Sequence, residues 1–332
     1  MSHTTELNNL PAVAGPRNLG TYLKLALVSV IWGGTFVAGR AINPEIPPLV
    51  SATLRFLLAG GTLALVLILT GRGFIRVTKK QILVLFGLGF CGIYTYNLFF
   101  FYGLQHISAS RASLIVAANP AMIAIASFLF YKERFSATRL LGIILCIVGA
   151  ATVIISKSPQ LLLDAQQSGI GEIMIVGCVL SWVAYSVFGK KTVQAIGPLY
   201  TVTYSVLAGA AMLTLTTLFS GQLHSATFAA IHVQDMFSLS YLGMIGSALA
   251  YIWYYSGIEK IGSTRAGAFI ALNPIAAVSL GAILLGERLT FLMCVGGLLA
   301  ILGILLCNRP EKSKSKVQHK VEDESVLLTQ GR

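Results

Sequence analysis

The sequence predicts an all-α integral membrane protein with ten transmembrane helices arranged as two inverted five-helix repeats. Three observations lead there. Hydrophobic residues make up 55% of the chain and charged ones 11%, against roughly 25% charged in soluble domains. Apolar runs of about 20 residues, the length that crosses a bilayer, recur from one end to the other. The chain also repeats itself. The stretch from Gly103 (GLQHISASRASLIVAANP) returns from Gly257 (GIEKIGSTRAGAFIALNP). Arg111 falls on Arg265, Asn119-Pro120 on Asn273-Pro274, Glu133-Arg134 on Glu287-Arg288, Gly142 on Gly296 and Gly149 on Gly303. Upstream the echo is weaker, with Trp32 recurring as Trp182, Gly39 as Gly189 and Gly60 as Gly209. A constant offset of this kind marks duplicated units.

Residues 1–21 are polar and lack the apolar core of a signal peptide, so they read as a cytoplasmic N-terminal segment. The first span, 22–42, carries Ser29, Trp32 and Thr35. The second, 48–70, contains Arg55, the one strong charge well inside a span. The third, 81–104, holds Tyr94, Thr95, Tyr96 and Asn97, and helical spacing puts Tyr94, Asn97 and Phe101 on one face. The fourth, 109–131, has Asn119-Pro120 at its middle and is closed by Glu133. The fifth, 138–155, is punctuated by Gly142 and Gly149 and has little polarity beyond Cys146 and Thr152. The sixth, 169–189, starts near Glu172 and carries Ser181, Trp182, Tyr185 and Ser186. After the seventh, 198–219, comes the eighth, 236–257, flanked by Asp235 and Glu259, with Ser247, Tyr251, Trp253, Tyr254 and Tyr255. The ninth, 264–286, repeats the Asn-Pro pair at 273–274. The tenth, 290–307, contains Cys294, Gly296, Gly297 and Gly303. Residues 308–332 are charged and poor in aromatics, the composition of a disordered cytoplasmic tail. Two repeats result, 22–155 and 169–307.

Five spans per repeat is an odd number, so the second copy must sit upside down relative to the first. With the N-terminus inside, nineteen lysines and arginines fall in cytoplasmic segments, against Arg40, Arg111, Lys157 and Arg288 outside. That asymmetry fits the positive-inside rule and puts both termini in the cytoplasm. The net charge of +12 is explained by membrane edges and the tail, and gives no reason to expect nucleic acid as a partner. The five cysteines, Cys91, Cys146, Cys178, Cys294 and Cys307, fall in or at the edge of spans and show no metal spacing. No Asp, Glu or His lies near the middle of a span. This removes the parts for hydrolytic chemistry and for a buried proton relay, and no cofactor is expected.

Three features are candidates for function. Proline inside a helix frees a carbonyl and kinks the axis. Finding Pro120 and Pro274, each preceded by an asparagine, at matching depths in both repeats points to a transporter's central site, and equally to a packing kink. Arg55 either snorkels to the outer interface or makes an anion contact at the mouth of a cavity. Among the aromatics, Tyr254 and Tyr255 fit an interfacial belt, whereas Trp32, Trp182 and Tyr251 lie deeper. The cavity candidates are Trp32, Tyr94, Asn97, Asn119, Trp182, Tyr185, Tyr251 and Asn273. The glycine-punctuated fifth and tenth spans suit close helix packing, as scaffold or as homodimer contacts.

With IWGGTFVAGR in the first span, SASRASLIVAANP in the fourth followed by YKERFSATRLLGIILCIVGA, and STRAGAFIALNPIAAVSLGAILLGERLT in the ninth, the chain resembles the EamA-type branch of the drug/metabolite transporter superfamily over about 22–307. The resemblance implies a plasma-membrane secondary transporter that exports amino acids or other small metabolites by alternating access. It implies a cavity lined by the first, third, fourth, sixth, eighth and ninth spans, and it leaves the cargo open. The small four-span cation exporters of that superfamily use a glutamate in their first span. Here that span has Trp32 and no carboxylate, so their mechanism does not carry over. A channel-like facilitator and a multidrug or other solute permease are the alternatives. An intramembrane enzyme fits worst, for want of catalytic groups.

Overall fold

The computed structural model describes residues 18–309 apart from 41, 44, 107–114, 133–135, 158–168, 223–226, 228, 277–278 and 280–289. The two tails, Arg111, the Glu133-Arg134 and Glu287-Arg288 pairs, and parts of the predicted fourth and ninth spans thus lie outside the described residues. Every regular element among those described is helical. In order they are α1 (Leu19–Arg40), α2 (Pro48–Leu69), α3 (Lys79–Gly89), a π-helical turn (Phe90–Thr95), α4 (Tyr96–His106), α5 (Asn119–Tyr131), α6 (Ala137–Lys157), α7 (Ile170–Ile196) and α8 (Pro198–Phe219). There follow α9 (Val233–Ser240), a second π-helical segment (Tyr241–Leu249), α10 (Ala250–Ile261), α11 (Ser263–Ala268), a 3-10 turn (Phe269–Leu272) and α12 (Phe291–Asn308).

Six stretches are long and apolar enough to cross a membrane: Pro48–Leu69, Lys79–Gly103, Ile170–Ile196, Pro198–Phe219, Val233–Ile261 and Phe291–Asn308. Leu19–Thr35, Asn119–Tyr131 and Ala137–Val153 are shorter apolar helices. Large apolar side chains stay exposed around the outside, Leu83, Ile173, Leu218 and Leu305 among them. Soluble proteins do not leave such a continuous apolar surface. The chain is a multi-pass helical membrane protein.

Local chemistry sets the helix ends. Pro48 and Pro198 stand in the first turns of α2 and α8, where a missing N–H leaves no bond unmade. Single glycines join α7 to α8 and α10 to α11. Gly197 (φ 82°, ψ 163°) and Gly262 (φ 86°, ψ 160°) occupy a region essentially reserved for glycine. Helix α7 runs on past 189 to Ile196. The apolar run stops at Lys190 and Lys191 but the helix does not, and both ammonium groups lie over the Tyr131 ring at 5.0 and 5.5 Å. At the far end, the Asp235 carboxylate accepts the N–H groups of Asn43 (2.7 Å) and His232 (2.8 Å), tying the α1–α2 link to the start of α9.

Equivalent helices make equivalent contacts. Gly89 on α3 lies against the Ser205 carbonyl, the Ala208 side chain and the Gly209 nitrogen of α8. Gly243, one repeat later, lies against the Arg55 carbonyl, the Leu58 side chain and the Ala59 nitrogen of α2. The repeat exchanges two groups of helices, α3/α4, α5, α7 and α8 in one and α9/α10, α11, α1 and α2 in the other. Each group mixes both halves of the sequence, and they meet along α2/α8, α7/α10 and α5/α11.

Helices α6 and α12 form their own seam. Gly142 touches the backbone of Gly303 and Cys307, and Gly149 that of Gly296 and Ala300. Early residues of one helix meet late residues of the other, so the two are antiparallel at backbone contact, which only small residues permit. The glycine faces expected to serve as scaffold or dimer contacts are therefore filled within one chain. A homodimer through these helices would have to use their outer faces, with Leu140, Ile144, Leu298 and Leu305.

Candidate functional site

Trp32 on α1 and Trp182 on α7, matching positions of the two repeats, meet edge to face at 5.3 Å where the helix groups join. Tyr251 on α10 lies 5.4 Å from Trp182 and 6.1 Å from Trp32. Tyr185, less than one turn on from Trp182, is 6.0 Å from Tyr251. Tyr96 on α4 adds a ring 5.5 Å from Trp182, and Phe56 on α2 one 6.5 Å from Tyr251. Such pairs contribute about 0.5–1.5 kcal/mol each beyond the area they bury. Polar tips fix the rings. Trp32 Nε1 donates to the Gly246 carbonyl in the second π segment at 3.0 Å, and the Tyr185 hydroxyl is 3.1 Å from Ser205 Oγ. Gly92, in the first π turn, faces the Tyr185 ring so closely that any side chain there would overlap it.

Tyr254 and Tyr255 belong to this core rather than to a lipid-facing belt, with exposures of 1% and 0%. The belt reading puts them near a helix end at 257, whereas α10 continues to Ile261. Tyr251, Tyr254 and Tyr255, spaced i, i+3 and i+4, share one inward face. The Tyr254 hydroxyl lies 3.1 Å from Ser186 Oγ, and the Tyr255 hydroxyl donates to the Tyr185 carbonyl at 2.7 Å. Nearby, Ser127 on α5 and Ser263 on α11 are bonded at 2.9 Å. All three bonds cross between the two helix groups.

Arg55 does not snorkel. It is 8% exposed, its Nε donates to Ser247 Oγ at 2.9 Å, and its guanidinium carbon lies 5.1 Å from the centroid of the Phe56 ring. The Ser247 hydroxyl in turn donates to the Leu242 carbonyl at 2.9 Å. No carboxylate pairs with Arg55 among the described residues.

The other candidates divide. Asn97 is fully buried, its amide nitrogen donating to the Ile93 carbonyl at 2.6 Å. The side-chain oxygens of Asn97, Asn119 and Asn273 are all buried and accept no hydrogen bond from the described residues. Pro120 stands in the first turn of α5, after a turn in which the Ala118 N–H donates to the Ile115 carbonyl. Pro274 comes after the 3-10 turn Phe269–Leu272, where the chain becomes helical again at 273–276. Both Asn-Pro pairs thus mark irregular backbone followed by a new helical start. Tyr94 is not with the others. Its ring stacks on Phe90 at 5.8 Å and its hydroxyl accepts from Thr216 on α8 at 3.0 Å. The π turn Phe90–Thr95 breaks the uniform helical spacing here, and it is Tyr96 that reaches the Trp182 ring.

The assembled groups are ring faces, one fixed cation and unpartnered amide oxygens, a set suited to holding a solute without covalent chemistry. No group of His, Cys, Asp and Glu among the described residues is arranged to hold a metal ion.

Comparison with known proteins places the chain in a family. The sequence profile of the EamA-like transporter family matches residues 19–155 and again 169–309. The uncharacterized transporter YyaM of Bacillus subtilis (strain 168) is 28% identical over 289 residues, covering 87% of this chain and 93% of that protein. A probable amino-acid metabolite efflux pump of Salmonella typhimurium (strain LT2) is 27% identical over 289 residues, covering 84% and 92%. One solved crystal structure has the same fold, with a TM-score of 0.71 at 17% identity, covering 87% of this chain and 97% of that one.

Proposed function

Because the chain belongs to the EamA-like transporter family, and is thus a membrane transporter rather than an enzyme, we propose that it exports amino acids or similar small metabolites across the plasma membrane by alternating access. The observation that carries this reading is the core where Trp32, Trp182, Tyr185 and Tyr251 meet with Arg55 nearby, at the junction of two helix groups that each draw on both repeats. Similarity to a probable amino-acid metabolite efflux pump supports the cargo class and the direction. Ten spans in two inverted repeats account for the antiparallel α6/α12 seam and for the charge bias. In that topology the Tyr254–Ser186, Tyr255–Tyr185 and Ser127–Ser263 bonds all fall in the cytoplasmic half, which is then the sealed side. A channel would need a continuous path, and interlocked rings on the axis favour a carrier instead. With no carboxylate or histidine at mid-span, exchange or facilitated diffusion down the cargo gradient is the simplest coupling.

Two measurements test this. Reporter fusions after Lys191 are expected to read cytoplasmic and fusions within 221–234 external; the reverse pattern would end the inverted-repeat topology. Untargeted mass spectrometry of the medium of over-expressing cells is expected to show amino acids or related metabolites enriched over control cells. An unchanged medium would refute the export reading.

A further inference from the structure

Arg55 is a buried cation with no carboxylate beside it among the described residues. Its burial excludes a snorkelling role. The Phe56 ring and the lone pair of Ser247 Oγ orient the guanidinium but supply no counter-charge. Only Nε is engaged, and the outer N–H groups have no acceptor among the described residues. An isolated cation at membrane depth is costly to keep, and such residues mark substrate paths or pair with charges brought to them. The Phe56 ring beside the guanidinium lies 6.5 Å from the ring of Tyr251, which borders Trp182, and Ser247 stands one turn before Tyr251. The unpaired donors therefore stand beside the aromatic core.

Resting on the transport reading above, we propose that Arg55 anchors a carboxylate of the cargo. The guanidinium fork receives the carboxylate through two parallel N–H···O bonds, the geometry for which arginine is suited and lysine is not. The apolar part of the solute lies against Tyr96, Trp182 and Tyr251. A single cation with no second positive group beside it among the described residues matches a monoanionic head group rather than a phosphate dianion. Among the described residues of the third span, the buried side-chain oxygens without a partner are Thr95 Oγ1 and the Asn97 amide oxygen, both neutral, so an ammonium is tolerated but not required. The result is a charge rule: cargo carries a carboxylate, and amines that lack one are excluded.

The test compares cells producing the full chain, Arg55→Gln or Arg55→Lys at matched membrane protein levels, with initial efflux rates measured for every solute that the unmodified protein exports. Carboxylates are expected to dominate that set. Their efflux should fall about thirtyfold or more in Arg55→Gln, the loss typical when one member of a buried charge pair is truncated, and by a smaller factor in Arg55→Lys. If Arg55→Gln does not reach the membrane, competition on the unmodified protein decides: a carboxylic acid should inhibit efflux, and its carboxamide and its decarboxylated amine should not. Export of amines or phosphate esters in place of carboxylates, equal competition by acid and carboxamide, or an Arg55→Gln rate equal to that of the unmodified protein would overturn the anchor while leaving transport intact. No exported solute at all would remove the transport reading itself, and the anchor with it.

Discussion

Gly149→Leu is expected to be among the most damaging single substitutions in the chain. A side chain at 149 would run into the backbone nitrogen of Ala300 and the carbonyl of Gly296, and backbone cannot swing away as a side-chain tip can. Helices α6 and α12 would have to separate along the whole seam, breaking the contacts of Gly142 and Gly303 as well. Overpacking commonly costs about 1–3 kcal/mol, and a clash with rigid backbone belongs at or above the top of that range. About 3 kcal/mol lowers the melting temperature by on the order of 5–10 °C in a chain of this size. Thermal unfolding of detergent-purified protein measures it. Gly297→Ala is the matched control, because its nearest neighbour is 3.8 Å away, and it should melt like the unmodified chain. Equal melting of Gly149→Leu would mean that the seam does not hold the fold together.

Trp182→Ala should abolish transport. Trp182 is the hub of the core, in ring contact with Trp32, Tyr96, Tyr185, Tyr251 and Tyr254. Truncating a buried tryptophan to alanine costs roughly 3–5 kcal/mol and leaves a cavity, so lost stability and lost binding arrive together. Trp182→Phe separates them. A smaller ring preserves most of the packing but not the indole's reach, so this variant should insert normally and still export roughly tenfold more slowly, by analogy with the loss of one good aromatic contact. Tyr94→Phe provides the contrast. Its hydroxyl accepts from Thr216 and its ring stacks on Phe90 rather than on the Trp182 cluster, and efflux should be unchanged. Normal efflux by Trp182→Phe together with impaired efflux by Tyr94→Phe would place the cargo path on the other face of α3/α4.

Periodicity and repetition make the scaffold legible in the sequence, because apolar length and a fixed residue offset are one-dimensional signals. The same signals find Trp32, Trp182 and Tyr251, which are deep in their runs and, for the two tryptophans, aligned between repeats. Reading fails where backbone geometry departs from a uniform helix. At the π turn Phe90–Thr95 uniform spacing no longer holds, Tyr96 and not Tyr94 touches Trp182, and nothing in FCGIYTYN announces an extra residue in that turn. Tyr254 and Tyr255 are misplaced by their distance from the end of an apolar run, although their spacing from Tyr251 already puts all three on one face. The destination of Arg55 stays open in the sequence because its inward turn depends on Ser247, which is 192 residues away in the chain. The pairing of the α6 and α12 glycine faces depends likewise on a partner helix that spacing within one helix cannot identify.

Counterflow tests the alternating-access claim most directly. Proteoliposomes containing the purified chain would be loaded with an unlabelled mixture of amino acids and placed in a trace of the same mixture carrying an isotopic label. A carrier with one central site must let the outward gradient of unlabelled cargo drive labelled cargo inward. At least one component should therefore overshoot its equilibrium level transiently, with an initial rate that saturates with concentration. Flux that rises linearly without overshoot, or no flux of any component, would contradict alternating access at the Trp32–Trp182–Arg55 core.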